Sequence, residues 1–445
     1  MTHSSSQIWT LRLIAALLVI AALIALTRPG EADEFASLSE LTGKAFGPAA
    51  FEDALARADR DVRQSAERQV LQSDGWLASE SHAMALHRRA QLTADFSDLS
   101  KSYALLKAAR SNAPDGSGPA LSSAVVSFAL HRQAEAAAHL DRRDGLAVRA
   151  SKIEQAEVLS LRGDLALYSG DYDRAKSNFR RALALDSGVS SVIRLANYYQ
   201  RMGEREAALR VLAAGASQDV TPRIASLYLL YAGGVELKRG RWDEARDYFE
   251  KAEEIFPGYW LASAHIAQLD GAQGNPAAGE IRYRQILKKH EEPSVMSAYA
   301  ALLSSQGRDV EAKALEARAL AIFNERAREF PEAYADHLLD AAIGRGDGTA
   351  ALKYARANHA NRPYGDAKVG VARALVAAGR PQEAIEMLDH VEASGWRSTE
   401  QYMARADACE ALDRGKCARA ARRDAERFNP KALDPGSDLL AFGNH

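Results

Sequence analysis

The sequence predicts an all-α chain: an elongated solenoid of about ten helix–turn–helix units behind an apolar N-terminal helix. Three observations carry this. At 445 residues the chain exceeds what one compact core usually holds, so it needs several domains or a repeating architecture. Alanine, the strongest helix former, supplies 88 of those residues, and only 13 are Pro. A pattern of small residue, glycine turn and second small residue returns every 33–39 residues from about residue 83 onward. A net charge of −2 argues against a nucleic-acid binder, which needs clustered Lys and Arg to neutralise phosphates. Two cysteines exclude a disulfide-dense scaffold and a Cys-rich metal site.

The first element is Ile8–Leu26, IWTLRLIAALLVIAALIAL, with fourteen unbroken apolar residues from Leu13. Nineteen residues at 1.5 Å rise just cross a bilayer core. Arg12 lies near the N-terminal end of the span, and Glu31, Asp33 and Glu34 follow it, which places the N-terminus in the cytoplasm and the rest outside. Two readings of residues 1–30 stand: a transmembrane anchor, or a signal peptide cleaved after Gly30-Glu31-Ala32. Residues 31–82 follow as a linker and a charged capping helix, because the end of a repeat array needs a polar outer face.

The array itself starts weakly, at 83–150, and is regular over 156–430. Aligned units begin near 83, 117, 156, 189, 226, 260, 293, 332, 365 and 401. The turn position holds Ser97, His131, Gly170, Gly203, Gly240, Gly274, Gly307, Gly346, Gly379 and Gly415. Glycine suits a turn that needs positive φ. The first helix carries a small residue such as Gly163 or Gly233 and the second carries its mate, Ala175 or Ala245, so two helices can approach closely. Phe179, Phe249, Tyr283 and Leu388 are assigned to the space between neighbouring units. Position 339 departs from the rule with Leu, and the unit from 293 runs on as a long helix to Pro331. The last segment, 431–445, reads as an irregular tail that frays.

These registers resemble the tetratricopeptide repeat (TPR), a 34-residue helix–turn–helix. The resemblance covers some 350 residues and implies a right-handed superhelix with first helices lining a concave groove. It implies a protein or peptide partner in that groove. The groove-facing residues carried over are Ile193, Asn197, Gln200 and Arg201 in one unit and Leu227, Leu230 and Lys238 in the next. Asn197 and Arg201, four apart, share a helix face suited to a peptide carboxylate or backbone. Some members clamp a C-terminal carboxylate with Lys, Asn and Arg from three units. Here Leu227 and Tyr231 stand where basic partners are needed, which argues against that clamp. Ten aromatic residues fall between Tyr198 and Trp260, most of them assigned to packing and a minority to binding.

No catalytic or cofactor motif is present: no G-x-S-x-G, H-E-x-x-H, S-x-x-K, phosphate loop or C-x-x-C. His131 and His139 lack a third ligand, so no metal and no cofactor is expected. Cys409 and Cys417 flank one turn and are candidates for a disulfide in an oxidising compartment, against two quiet thiols. The expectation is a non-enzymatic protein–protein scaffold of a bacterial envelope, held to the membrane through residues 8–26 if these are uncleaved, or exported to the periplasm. The alternative is an envelope enzyme, or its obligatory subunit, with a site between repeats. A cytoplasmic array of reversed topology is a third reading.

Overall fold

The computed structural model describes residues 35–73, 75–440 and 442. The predicted apolar helix at 8–26 and the cleavage site after Ala32 lie outside them. Among the described residues no helix is long and apolar enough to cross a membrane.

Among the described residues, a single turn, α1 (Ala36–Ser39), is followed by twenty-one α-helices. The first is α2 (Phe51–Leu71). Ten antiparallel hairpins follow: α3 (Trp76–Thr93) with α4 (Phe96–Asn112), α5 (Ala120–Ala129) with α6 (Gln133–Asp144), α7 (Lys152–Tyr168) with α8 (Tyr172–Leu185), and α9 (Val189–Arg201) with α10 (Arg205–Ala216). Next are α11 (Pro222–Lys238) with α12 (Trp242–Ile255), α13 (Trp260–Ala272) with α14 (Pro276–Leu287), and α15 (Pro293–Ser305) with α16 (Asp309–Glu329). The last are α17 (Pro331–Gly344) with α18 (Gly348–Asn361), α19 (Gly365–Ala377) with α20 (Pro381–Ala393), and α21 (Thr399–Glu410) with α22 (Gly415–Phe428).

Local chemistry sets these boundaries. Ser151 caps α7 in a reciprocal box: its hydroxyl accepts from Glu154 N–H and the Glu154 carboxylate accepts from Ser151 N–H. Thr221 caps α11 ahead of Pro222, whose missing N–H costs nothing in the first turn. The long α16 stops one residue before Pro331, as that proline predicts.

In seven hairpins the residue with positive φ is the predicted glycine, from Gly170 at 83° to Gly379 at 71°. The other three differ. Ala94, not Ser97, takes the left-handed conformation after α3, and Ser97 lies inside α4. His131 does so at 56°, and Asp413 replaces Gly415, which is already the first residue of α22.

Small residues act as expected, but the bulk they accommodate lies partly within the hairpin. A Cβ on Gly163 would sit 2.6 Å from the Phe179 ring, and one on Gly233 would sit 2.4 Å from Phe249. Each phenylalanine also reaches the next unit: Phe179 meets Tyr198 at 6.0 Å and Phe249 stacks on His265 at 4.6 Å.

The hairpins wind so that later units lie against earlier ones. Trp260 Nε1 donates to Leu92 O at 3.1 Å, and Ser100 Oγ donates to Glu329 at 2.6 Å. Asn361 Nδ2 donates to His131 O at 2.7 Å, Gly365 N–H to Tyr172 Oη at 3.0 Å, and Arg205 to Phe428 O at 2.5 Å. In each contact the turn inside an early hairpin, or a helix end beside it, meets a connection between later ones or, at Phe428, the end of the last helix. Successive turns of the solenoid are thus stacked edge on edge.

Both ends of the described chain extend this stacking. Phe35, Leu38 and Leu41 are buried, and the strap they begin follows the connections after α10 and α12. Ser37 Oγ donates to Ala213 O, Ala45 N–H to Val220 O, and Phe51 N–H to Pro257 O, each at 3.0 Å. The C-terminal tail, expected to fray, instead forms a 3-10 helix at Pro435–Leu439 against α13. Gly436 passes so close to Ala272 O that a Cβ would be 2.4 Å from it, and Phe442 reaches His265 at 5.2 Å. Apolar burial by Phe442 and Leu439 holds what the sequence alone marks as irregular.

Candidate functional site

The first helices α7, α9 and α11 lie against one another in turn. From α9 come Ile193, Asn197, Gln200 and Arg201; from α11 come Leu227, Leu230 and Lys238. Ile193, Asn197, Gln200, Leu227 and Lys238 are half-buried, and Leu230 is buried in the core. Tyr231, one position on, is half-buried too and lies close to Arg194 and Arg201, with burial raising its pKa.

Arg201 is committed to the chain itself. Its Nε donates to Asn197 Oδ1 at 3.2 Å and its Nη1 to Asp366 Oδ2 at 2.9 Å. The carboxylate that Arg201 holds thus comes from α19 of the same chain, not from a peptide. Burial raises the Asp366 pKa against the pull of Arg201 and Lys238. At Glu400, burial is outweighed by Lys238, by backbone and Ser398 hydrogen bonds and by Arg205, which together hold its pKa below the usual range. Lys238 therefore faces two acids from the later repeats.

Around this pair lies a seam that sequence reading did not find. Tyr168 and Tyr364 meet edge to face at 4.8 Å, and Arg201 and Arg362 each lie within 5.9 Å of both rings. Arg362 is 2% exposed and donates to Asp336 at 2.6 Å and to Asn358 at 2.7 Å. Trp396 packs between Tyr172 and Tyr364, in space that Gly365 leaves open. Elsewhere on α9, Arg194 bonds Asp164 at 2.6 Å and Glu157 at 3.0 Å. Burial holds Asp164 up at about 6 in spite of that arginine.

Of the ten central aromatics, eight are buried, including Tyr228, Phe249 and Phe256; Tyr231 and Tyr248 are half-buried. Cys409 and Cys417 are joined as a disulfide across the Asp413 turn. No group of three or more His, Cys, Asp or Glu side chains among the described residues is placed to hold a metal ion. A separate cavity of about 330 Å³ lies between the first hairpin and α15–α17, lined by His87, Phe96, Glu292, Phe323, Arg326 and Tyr334.

Paired helices, tight turns and small-residue contacts define a helical-repeat protein of the solenoid class. Within that class, two stretches of the chain, residues 156–188 and 193–259, match tetratricopeptide repeat families. A 249-residue stretch is 32% identical to cellulose synthase operon protein C of Xanthomonas axonopodis pv. citri (strain 306). That match takes in 52% of this chain and only 16% of the relative's length. Among solved structures the chain is similar to yeast Tom70, with a TM-score of 0.35 and 14% identity over 87% of this chain and 96% of that one. A tetratricopeptide repeat protein from Parabacteroides merdae ATCC 43184 scores 0.28 at 14% identity, covering 65% and 98%.

Proposed function

We propose that the chain is a non-enzymatic scaffold of the bacterial cell envelope that holds a partner protein or peptide in its concave groove. The observation that carries this is the row Ile193, Leu227 and Tyr231, half-buried on first helices and bordered by Gln200 and Lys238, within the stretch the family matches. Apolar anchors bordered by polar groups are what a solenoid offers an extended partner. Arg201 and Leu230 serve a different purpose: Arg201 bonds Asp366 of a later repeat and Leu230 is buried in the core. The envelope setting is supported by the apolar run at 8–26, by the Cys409–Cys417 bridge and by the similarity to a cellulose synthase operon protein.

The test is co-purification of the full chain from envelope fractions, with Ile193→Glu and Gln200→Glu bait beside the wild type. The reading expects a discrete partner that both substitutions remove while the helical signal stays intact. Partners indifferent to both would exclude the groove.

The similarity to the cellulose synthase operon protein favours one second reading. In it the chain is an obligatory subunit of an envelope enzyme, or itself that enzyme. A purified chain that binds no protein but is required for turnover by a membrane-bound synthase would select it.

A further inference from the structure

The outer back of the solenoid carries two charged stripes that meet end to end. Helix α22 holds five basic and two acidic residues, a net of +3. Lys416, Arg419 and Arg423 recur at helical spacing on its exposed face. Among the described residues none of the three is in an ion pair. Helix α12 holds six acids and two basic residues, a net of −4. Glu244, Asp247, Glu250 and Glu254 line its exposed face. There Asp247 has a raised pKa, from burial and from Glu250, Glu244 and Asp243 beside it.

The stacking of solenoid turns puts these stripes in line. Asn429–Lys431, just past the end of α22, pass against Gly240, just before the start of α12. Lys431 Nζ lies 4.8 Å from the Trp242 ring centre. Both are second helices of their hairpins, so they run in the same sense, one after the other. The back therefore bears a basic segment followed by an acidic one, with the junction at 429–431 and 240–242.

A surface that is basic at one end and acidic at the other is complementary to itself turned by a half rotation. We propose that a second copy of this chain docks on this face about a two-fold axis near the junction, α22 of each copy lying on α12 of the other. Such an isologous contact closes at two copies and satisfies both stripes at once. A flat anionic bilayer would meet the acidic stripe together with the basic one, so the pairing of charges favours a second copy over a lipid surface. Surface charge carries the contact, so it weakens with salt.

The test is sedimentation velocity of the full chain in detergent micelles, at about 50 mM and about 500 mM NaCl. A dimer at low salt that dissociates at high salt is expected. Arg419→Glu with Arg423→Glu, and separately Asp247→Lys with Glu254→Lys, should each raise the dimer dissociation constant about tenfold or more. Mixing the two variants should restore a dimer, because each reversed stripe then faces its complement. All four sites are exposed, and circular dichroism checks the fold of each variant. A monomer at low salt, a dimer indifferent to both reversals, or open-ended polymers would each overturn the proposal. Binding of the monomer to phosphatidylglycerol vesicles, with no dimer formed, would overturn it in favour of a lipid surface.

Discussion

Arg201 and Asp366, 165 residues apart, are joined at 2.9 Å, and that bond ties α9 to the first turn of α19. The guanidinium is also shared with Asn197 and lies beside Tyr168 and Tyr364. A residue type that invites a binding interpretation is thus part of the seam between solenoid turns.

Asp366→Asn removes the charge and keeps the shape. Arg201 is 8% exposed in its side chain and Asp366 is 36% exposed, so solvent screens part of the pair. The expected loss is about 1–2 kcal/mol, read as earlier unfolding of the α17–α22 repeats. A cycle with Arg201→Met should show about 1 kcal/mol of coupling. Additive effects would mean the bond is incidental.

Gly233 and Gly234 are neighbours in α11 with opposite surroundings. A Cβ on Gly233 would press into the Phe249 ring at 2.4 Å, whereas one on Gly234 would meet nothing within 4 Å. Gly234→Ala should stabilise by about 0.5–1 kcal/mol through helix propensity. Gly233→Ala should instead destabilise, by about 1–3 kcal/mol, and Phe249→Leu in the same chain should recover part of it. Thermal unfolding of the three variants decides the signs. Equal stabilisation by both alanines would contradict the packing described.

His87 is 4% exposed, and neither ring nitrogen has a hydrogen-bond partner among the described residues. Burial, and then Arg88, lower its pKa from 6.5 to about 4. The unfolded chain therefore takes up a proton that the folded one refuses. Stability from this group is present above about pH 6.5 and is lost as pH falls toward 4, by roughly 2 kcal/mol at pH 5. Hydrogen exchange of the α3–α4 hairpin at about pH 7 and about pH 5 should show that loss in the wild type and a flatter response in His87→Leu. Parallel profiles would exclude a buried neutral histidine.

The Cys409–Cys417 bridge closes a short loop around the last turn. Loop-closure entropy for that length gives roughly 2–3 kcal/mol. Reduction, or Cys409→Ser with Cys417→Ser, should loosen α21 and α22 first, because a terminal repeat has one neighbour. Limited proteolysis should then release fragments cut near residues 411–415. Cleavage elsewhere would place the weakest point in another repeat.

The local grammar of this fold is legible in the sequence, because each repeat satisfies its own turn and its own helix contact within some 34 residues. Gly170, Gly233 and Ala245 announce their geometry by residue type alone. Ala94 and Asp413 do not, since left-handed alanine and aspartate are set by the chain around them rather than by preference. The seam was beyond reach for a different reason. Tyr168, Arg362, Tyr364 and Trp396 meet only because solenoid turns stack, and a repeat period does not give the superhelical pitch. The same stacking joins Arg201 to Asp366, while Leu230 is buried in the core and Ile193, Gln200, Leu227 and Lys238 are half-buried.

Site-specific photo-crosslinking in cells tests the groove most directly. A benzophenone amino acid placed at Ile193 or Lys238 should form adducts with one discrete protein. The same probe at Arg181, exposed on α8, should not. Adducts from both groove positions and none from position 181 are the predicted result. Adducts at position 181 alone, or at no position, would contradict the account of the concave face as the binding surface.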